Sequence, residues 1–504
     1  MFWVSTKQYP SHIVWKLVCI VLIGLRFLHL TDAIDEPHSW RQCDTANYIY
    51  AYYQEGIDLL YPSVCWMGDA SHVILEFPLP EAIVALFYQV LGPSHLWARL
   101  VFFLFFLWAS FFLFRIIRFL FTEQLAWISL VVYLGMPLGL FYSRAIHIDF
   151  SAVCCAHAMC DYYLRGFHEK RFLPIIWGTA WATLAFLIKA PYVFYFALPL
   201  FYYIHQHKRW KFLLQVSPLL SLPLLVFFLW IRHTHTVNAQ MPDWDFIPHY
   251  RKFVDNWHWY FGTLHQRQQI DNWMILFNRF TQEVAGRVGV LIAIVGLCTG
   301  NWNHIGWNFI RLWLIGVGLY ILLFFNLNII HNYYQIPLLA PIAIGIAGGI
   351  LIVYRILSSY HQTIARLSML LLLTLTISEY IYYSESHYYQ VDWPQIKAGE
   401  YLQSATKSDD LILISRVGLD CRSPHILYRA RRKGWTVSDE DIDAELIYRL
   451  MGEGAEYVGL IRQAPPSSSL QSFLSYHPEQ IFELGEGWQL YLYTIRYEHF
   501  LERE

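Results

Sequence analysis

Long uncharged apolar runs constrain this chain more than any other feature. Residues 333–354, for example, carry no charged side chain. A helix that crosses a membrane needs roughly 20 apolar residues, and in lipid every backbone N–H and C=O must be satisfied inside the segment, which forces a helix. Candidate spans fall at about 12–31, 97–117, 124–143, 149–165, 172–189, 191–206, 212–231, 284–300, 310–328, 333–354 and 365–384. Composition agrees: of 504 residues, 56% are hydrophobic and only 15% charged, against about a quarter charged in soluble proteins. The expected fold class is an α-helical polytopic membrane protein of about 11 transmembrane helices (roughly 11–13). The net charge of −2 gives no electrostatic footprint for a nucleic acid. The first apolar segment runs into a polar loop without a small-residue cleavage site and reads as a retained span. The eight cysteines form no CxxC or zinc spacing, and Cys154, Cys155 and Cys160 read as packing residues.

Lysine and arginine gather in cytoplasmic connections. With Lys7 inside, the inner connections hold Arg115 and Arg118, Lys170 and Arg171, Lys208, Arg209 and Lys211, Arg311, and Arg355 and Arg366. The pair of spans at 172–206 is joined by a very tight turn, Lys189-Ala190-Pro191. The membrane domain is expected over 1–384, with a long first outer loop at 32–96 and a second outer loop at 232–283 rich in Trp, His and Asp, including Asp255-Asn256-Trp257. In the first loop, Glu81–Leu91 is too short to span and reads as a helix in the interface. Beyond 385 charges become frequent, and 385–504 reads as a small extracytoplasmic α/β domain. It holds buried strands at Asp410–Ser415 and Tyr457–Ile461, a helix over Ser423–Gly434, another over Glu445–Met451, and a hairpin through Gly485-Glu486-Gly487. Arg431-Arg432-Lys433 reads as a solvated helix end.

On this orientation the chemistry-bearing residues collect on the outer face. Glu36-Pro37-His38-Ser39-Trp40-Arg41-Gln42-Cys43-Asp44-Thr45-Ala46-Asn47-Tyr48 follows the first span directly. Interfacial loops collect aromatic rings, which accounts for Trp40 and Tyr48 but not for Arg41 and Asp44 beside His38 and Glu36. Further outer elements are Glu76-Phe77-Pro78, Ser143 to Asp149 with Arg144 and His147, Lys189, and Asn328 to Gln335 with His331, Tyr333 and Tyr334.

These motifs, taken in order, resemble the GT-C membrane glycosyltransferases, near the aminoarabinose (lipid A) transferases and the protein O-mannosyltransferases, over about 12–384. Asp44-Thr45-Ala46-Asn47-Tyr48 matches the first-loop acidic motif, Glu76-Phe77-Pro78 a Glu-Lys-Pro motif, Arg144 to Asp149 the second acidic site, and His331-Asn332-Tyr333-Tyr334 a His-x-Tyr-Tyr motif. The resemblance implies a GT-C fold and transfer of a sugar from a polyprenyl-phosphate carrier to a lipid, glycan or protein acceptor. The place would be the outer face of the plasma (inner) membrane. It implies catalytic roles for Asp44, Asp149 and Glu76, and substrate contacts for Arg41, His38, Arg144, Lys189, His331, Tyr333 and Tyr334. No metal ligand is assigned and no cofactor is certain; a divalent cation is left open. Besides donor and acceptor, the expected partners are membrane lipids, and no nucleic acid.

One departure matters. The family's lysine, which contacts the carrier phosphate, is Phe77 here, so a cation must come from Lys189, Arg41 or Arg144. The physical demands stand apart from the family: a leaving phosphate needs cations and donors away from bulk water, and an acceptor hydroxyl needs a carboxylate to take its proton. Asp44 is the choice for that base, with Asp35 and Glu36 as rivals. If the acceptor is itself a phosphate, no base is required and Asp44 positions instead.

Each candidate has a plainer reading. Asp149 could only cap a helix, Lys189 only snorkel, the His331 cluster only form an aromatic belt, and Glu76 mark an interfacial turn. Cys43 and Cys65 are either bridged on the oxidising side or two unpaired thiols. A transporter or flippase would also carry intramembrane charges, but related halves and mid-membrane breaks are not evident. A polysaccharide polymerase would use the same carrier-linked sugars.

Overall fold

The computed structural model describes residues 12–70, 72–254, 257–474 and 479–495; Lys7, Asp255 and Asn256 lie outside these. The chain divides into two compact units. One comprises Met1–Thr31, Arg99–Trp230 and Asn256–Tyr389; the other comprises Asp32–Ala98, Ile231–Asp255 and Gln390–Glu504.

The first unit is helical. Across the described residues, six helices are long and apolar enough to cross a membrane: His95–Leu120, Phe172–Lys189, Trp210–Asn238, Ile305–Leu323, Asn332–Ser358 and Gln362–His387. A seventh span forms if Ile270–Val284 and Arg287–Thr299, bent by 92°, count as one. The chain is therefore a multi-pass membrane protein. The remaining expected spans are shorter, broken or more polar. The stretch 124–143 breaks at Met136, where Glu123–Gly135 ends and the Pro137–Tyr142 helix begins, because proline has no N–H to continue the ladder. Pro191 likewise ends the Phe172–Lys189 helix, and a single turn, Pro191–Phe194, follows. Helix packing uses small residues: a Cβ at Gly296 would run into the backbone of Gly345 and Gly349, so Arg287–Thr299 and the helix Leu339–Ser358 approach closely, as small-xxx-small faces allow.

The second unit contains the helices Ser39–Glu55, Leu79–Leu91 and Trp393–Ala405 and a five-stranded sheet. Its strands are β1 (Leu411–Arg416), β2 (Lys433–Val437), β3 (Ala455–Arg462), β4 (Glu479–Gly485) and β5 (Trp488–Thr494), in the order β2-β1-β3-β5-β4. β1 runs parallel to β2 and β3; β5 is antiparallel to β3 and β4. Leu413, Ile414, Val458, Leu460 and Leu490 are fully buried in its core. The expected strands, the second helix and the hairpin are in place. The helix expected over Ser423–Gly434 is corrected: it covers only His425–Ala430, and Lys433–Val437 is the edge strand β2. Gly434 is therefore not a helix stop. A Cβ there would collide with the Ile412 backbone, so glycine permits the close strand pairing. Arg432 is not solvated either; it is buried and donates to the carbonyls of Gln403 and Thr406 at 2.9 and 2.6 Å. The outer edge of β2 is covered by the first loop, Gly68 N–H donating to Gly434 O and Gly434 N–H to Cys65 O, which removes an exposed strand edge.

Candidate active-site clusters

In the second unit the Ser39–Glu55 helix builds the first acidic cluster. His38 enters it in a left-handed conformation (φ 59°), its carbonyl accepting from the Arg41 and Gln42 amides at 3.0 and 3.3 Å. Arg41 and Asp44 follow one helical turn apart, so both lie on one face. Arg41 forms a short ion pair with Glu76, and its Nη1 lies 3.7 Å from Asp44 Oδ2. Asp44 is 4% exposed, and its Oδ1 accepts the Trp66 indole N–H at 3.0 Å. Burial pushes the Asp44 carboxyl up to about 7, against the pull of Arg41 and the Trp66 hydrogen bond. Glu81, on the buried face of the Leu79–Leu91 helix, is pushed up by burial to about 8. Tyr48 donates to Val73 O at 2.6 Å and accepts from Leu75 N–H at 3.1 Å, anchoring the chain that delivers Glu76. Among the rivals, Glu36 accepts from the Ser39 N–H at 3.1 Å and from its hydroxyl, which gives it a local structural task. Cys43 and Cys65 are free, buried thiols.

The first unit holds the second cluster. Asp149 opens the Asp149–Glu169 helix, but its carboxylate is not a cap. Lys189 Nζ donates to both oxygens at 2.8 and 2.9 Å, Tyr192 donates a short hydrogen bond, and His147 Nδ1 lies 3.0 Å from Oδ2. Tyr192 stands three residues after Lys189, about one helical turn on, so both reach one carboxylate. Lys189 is buried and does not snorkel; its Nζ sits 4.0 Å from the Tyr334 ring centroid and 5.0 Å from that of Tyr333, a cation–π arrangement. His331 stacks on Tyr333 at 5.0 Å and lies 5.9 Å from Tyr334. His331 and Tyr333 are buried within the unit, unlike an interfacial belt. Arg144 is buried; it donates to His29 O at 3.3 Å and covers the Tyr389 ring at 4.6 Å. Ser143, at the head of this motif, accepts from buried Arg26 at 2.7 Å.

Of the sequence-predicted residues, then, Asp44, Arg41 and Glu76 come together with His38 adjacent, and Asp149, Lys189, Tyr333, Tyr334 and His331 come together. Trp66, Glu81, His147 and Tyr192 are further members. A charged residue on the inner stripe of an apolar helix marks Glu81 in the sequence; Tyr192 is marked only by its place one turn beyond Lys189. Among the described residues no group of three or more His, Cys, Asp or Glu side chains is placed to hold a metal ion.

The fold is similar to that of known proteins. The family model described as dolichyl-phosphate-mannose-protein mannosyltransferase matches residues 76–234. ArnT from Cupriavidus metallidurans in the apo state superposes with a TM-score of 0.64 at 12% identity, covering 96% of this chain and 99% of that one. The same protein bound to undecaprenyl phosphate gives 0.62 at 11%, with the same coverage. The chain has the GT-C fold. The GT-C likeness extends to the apo oligosaccharyltransferase from Archaeoglobus fulgidus, with a TM-score of 0.58 at 10% identity over 94% of this chain and 73% of that chain. It extends also to the mycobacterial arabinofuranosyltransferase AftD, with a TM-score of 0.50 at 13% identity, over 97% of this chain and 40% of that one. Among curated proteins, none matches the sequence.

Proposed function

We propose that this protein is an integral-membrane glycosyltransferase. It transfers a hexosyl or pentosyl group from a polyprenyl-phosphate donor to a lipid, glycan or protein acceptor, at the extracytoplasmic face of the plasma (inner) membrane. The membrane-domain and outer-domain division at about 384/385 belongs to the same reading. The GT-C fold supports the reaction class, and the observation that carries the reading is Asp44: a buried carboxyl raised to about 7 and oriented by an indole and a guanidinium. A general base works best with a pKa near the working pH.

In the proposed reaction an acceptor hydroxyl attacks the anomeric carbon. The bond from that carbon to the carrier's phosphate oxygen breaks, polyprenyl phosphate leaves with the bonding pair, and the hydroxyl proton passes to Asp44. Glu76 positions Arg41. Asp149, fixed by Lys189, His147 and Tyr192, binds sugar or acceptor hydroxyls, with Tyr333, Tyr334 and His331 as an aromatic wall. The carrier phosphate draws on Lys189, Arg41 or Arg144. Lys189 and Arg41 already pair with carboxylates, so a phosphate that recruits either must loosen that pair. The test is carrier affinity in Lys189→Gln, Arg41→Gln and Arg144→Gln; the true partner's loss weakens binding by about 2–5 kcal/mol. Unchanged affinity in all three refutes the assignment.

A further inference from the structure

A second charged feature, remote from the acidic motifs in sequence, stands at the ends of two spans in the first unit. Four cations line one concavity of about 1000 Å³ of open space: Lys170, Lys208, Arg209 and Lys211, with Trp210 and Phe172. No carboxylate lines it. Arg209 is engaged, donating to Phe167 O at 2.9 Å and His168 O at 2.8 Å and so capping the C-terminal end of the Asp149–Glu169 helix. Lys170, Lys208 and Lys211 are exposed and form no ion pair with any described acidic residue.

Each cation taken alone has a plain reading. Lys170 sits at the C-terminal end of the Asp149–Glu169 helix, where positive charge is favourable. That reading does not explain why the turn after Ala197–Gln206 brings Lys208, Arg209 and Lys211 to the same hollow. Like charges gathered in one concavity repel, and an anion there relieves the repulsion.

The surroundings select the anion. The hollow opens where Phe172–Lys189 and Trp210–Asn238, both long and apolar enough to span, begin. Leu173, Trp177 and Leu214 are exposed within the first two turns of these helices, at 57%, 53% and 74%. A phosphate that belongs to a lipid can sit among the lysines while its acyl chains run along these side chains; a free phosphate uses only the first half of the site. We propose that this hollow binds the headgroup of an anionic phospholipid.

The test uses the full-length protein in detergent micelles, with phosphatidylglycerol and phosphatidylcholine of matched chains as probes, read by native mass spectrometry and thermal unfolding. Phosphatidylglycerol should bind saturably and raise the unfolding temperature, and phosphatidylcholine should not. One basic residue near a membrane surface contributes about fivefold to anionic-lipid affinity. The double variant Lys208→Gln/Lys211→Gln should therefore bind phosphatidylglycerol about thirtyfold more weakly, with unchanged unfolding temperature in its absence. Arg118→Gln, which removes an exposed cation outside the hollow, should leave binding intact. Equal binding of the two lipids, or a double variant that keeps the preference, overturns the proposal. Inorganic phosphate protecting as well as phosphatidylglycerol overturns it in favour of a soluble-anion site.

Discussion

Replacing Asp44 by Asn should stabilise the protein while abolishing its turnover, and the stabilisation should depend on pH in a defined way. The ordinary carboxyl value of 3.8 rises to about 7 in the fold because burial disfavours the charge. Below 3.8 the group is protonated in both states and costs nothing. As pH rises from 3.8 to about 7 the unfolded chain ionises freely and the folded chain does not, so folding loses stability until both states are ionised. At 1.36 kcal/mol per pH unit the full cost is roughly 4 kcal/mol, reached above about pH 7. Asn removes the ionisation and keeps an acceptor for the Trp66 indole, and Arg41 retains Glu76. Equilibrium unfolding in mixed micelles, titrated with sodium dodecyl sulfate from pH 4 to 9, should show the variant gaining on the parent by up to about 4 kcal/mol between pH 4 and 7, and by no more above. A pH-independent difference, or a variant less stable at pH 8, would refute the reasoning.

Turnover of the parent enzyme should rise with pH through about 7 as the Asp44 base ionises; a rate that is flat between pH 5.5 and 8.5 removes Asp44 from that role. Lys189→Met should destabilise the fold by about 3–5 kcal/mol by stranding Asp149 in a buried site, and Asp149→Asn in the same chain should restore most of that loss; unfolding midpoints of the single and double variants decide it. Glu76→Gln should lower turnover by weakening the hold on Arg41, with expression and membrane insertion unchanged. Cys43 and Cys65 should resist maleimide labelling in the folded protein and label equally with and without reductant once unfolded, as buried, unbridged thiols require; labelling that appears only after reduction would mean a bridge.

The six long apolar spans and the order of the acidic motifs are legible because both depend on local composition; the shorter, broken segments among the eleven expected spans are not separated from them by composition alone. The strand β2 is not legible: Arg431-Arg432-Lys433-Gly434 reads as a basic helix end followed by a stop, and only the parallel partner Ile412 reveals why glycine is there. The Asp149–Lys189 pair spans 40 positions, and no local signal links them. Lys189 stood out only as a cation at the end of a span. A separation of 22 positions hid Trp66 from Asp44, because an indole next to a cysteine looks like packing until its N–H is seen on a carboxylate. In the sequence Glu81 marks the start of an interfacial helix; its burial depends on the tertiary face that Ala82, Ala85 and Tyr88 share with it.

The central claim is that carrier-linked sugar is cleaved and transferred rather than moved intact. Purified protein in proteoliposomes, given a polyprenyl-phosphate sugar labelled in the sugar and a membrane extract as acceptor, should release polyprenyl phosphate in step with label appearing on acceptor. Asp44→Asn should do neither. Label that crosses the bilayer still attached to its carrier, at the same rate in the parent and in Asp44→Asn, would contradict the account and assign the protein to transport.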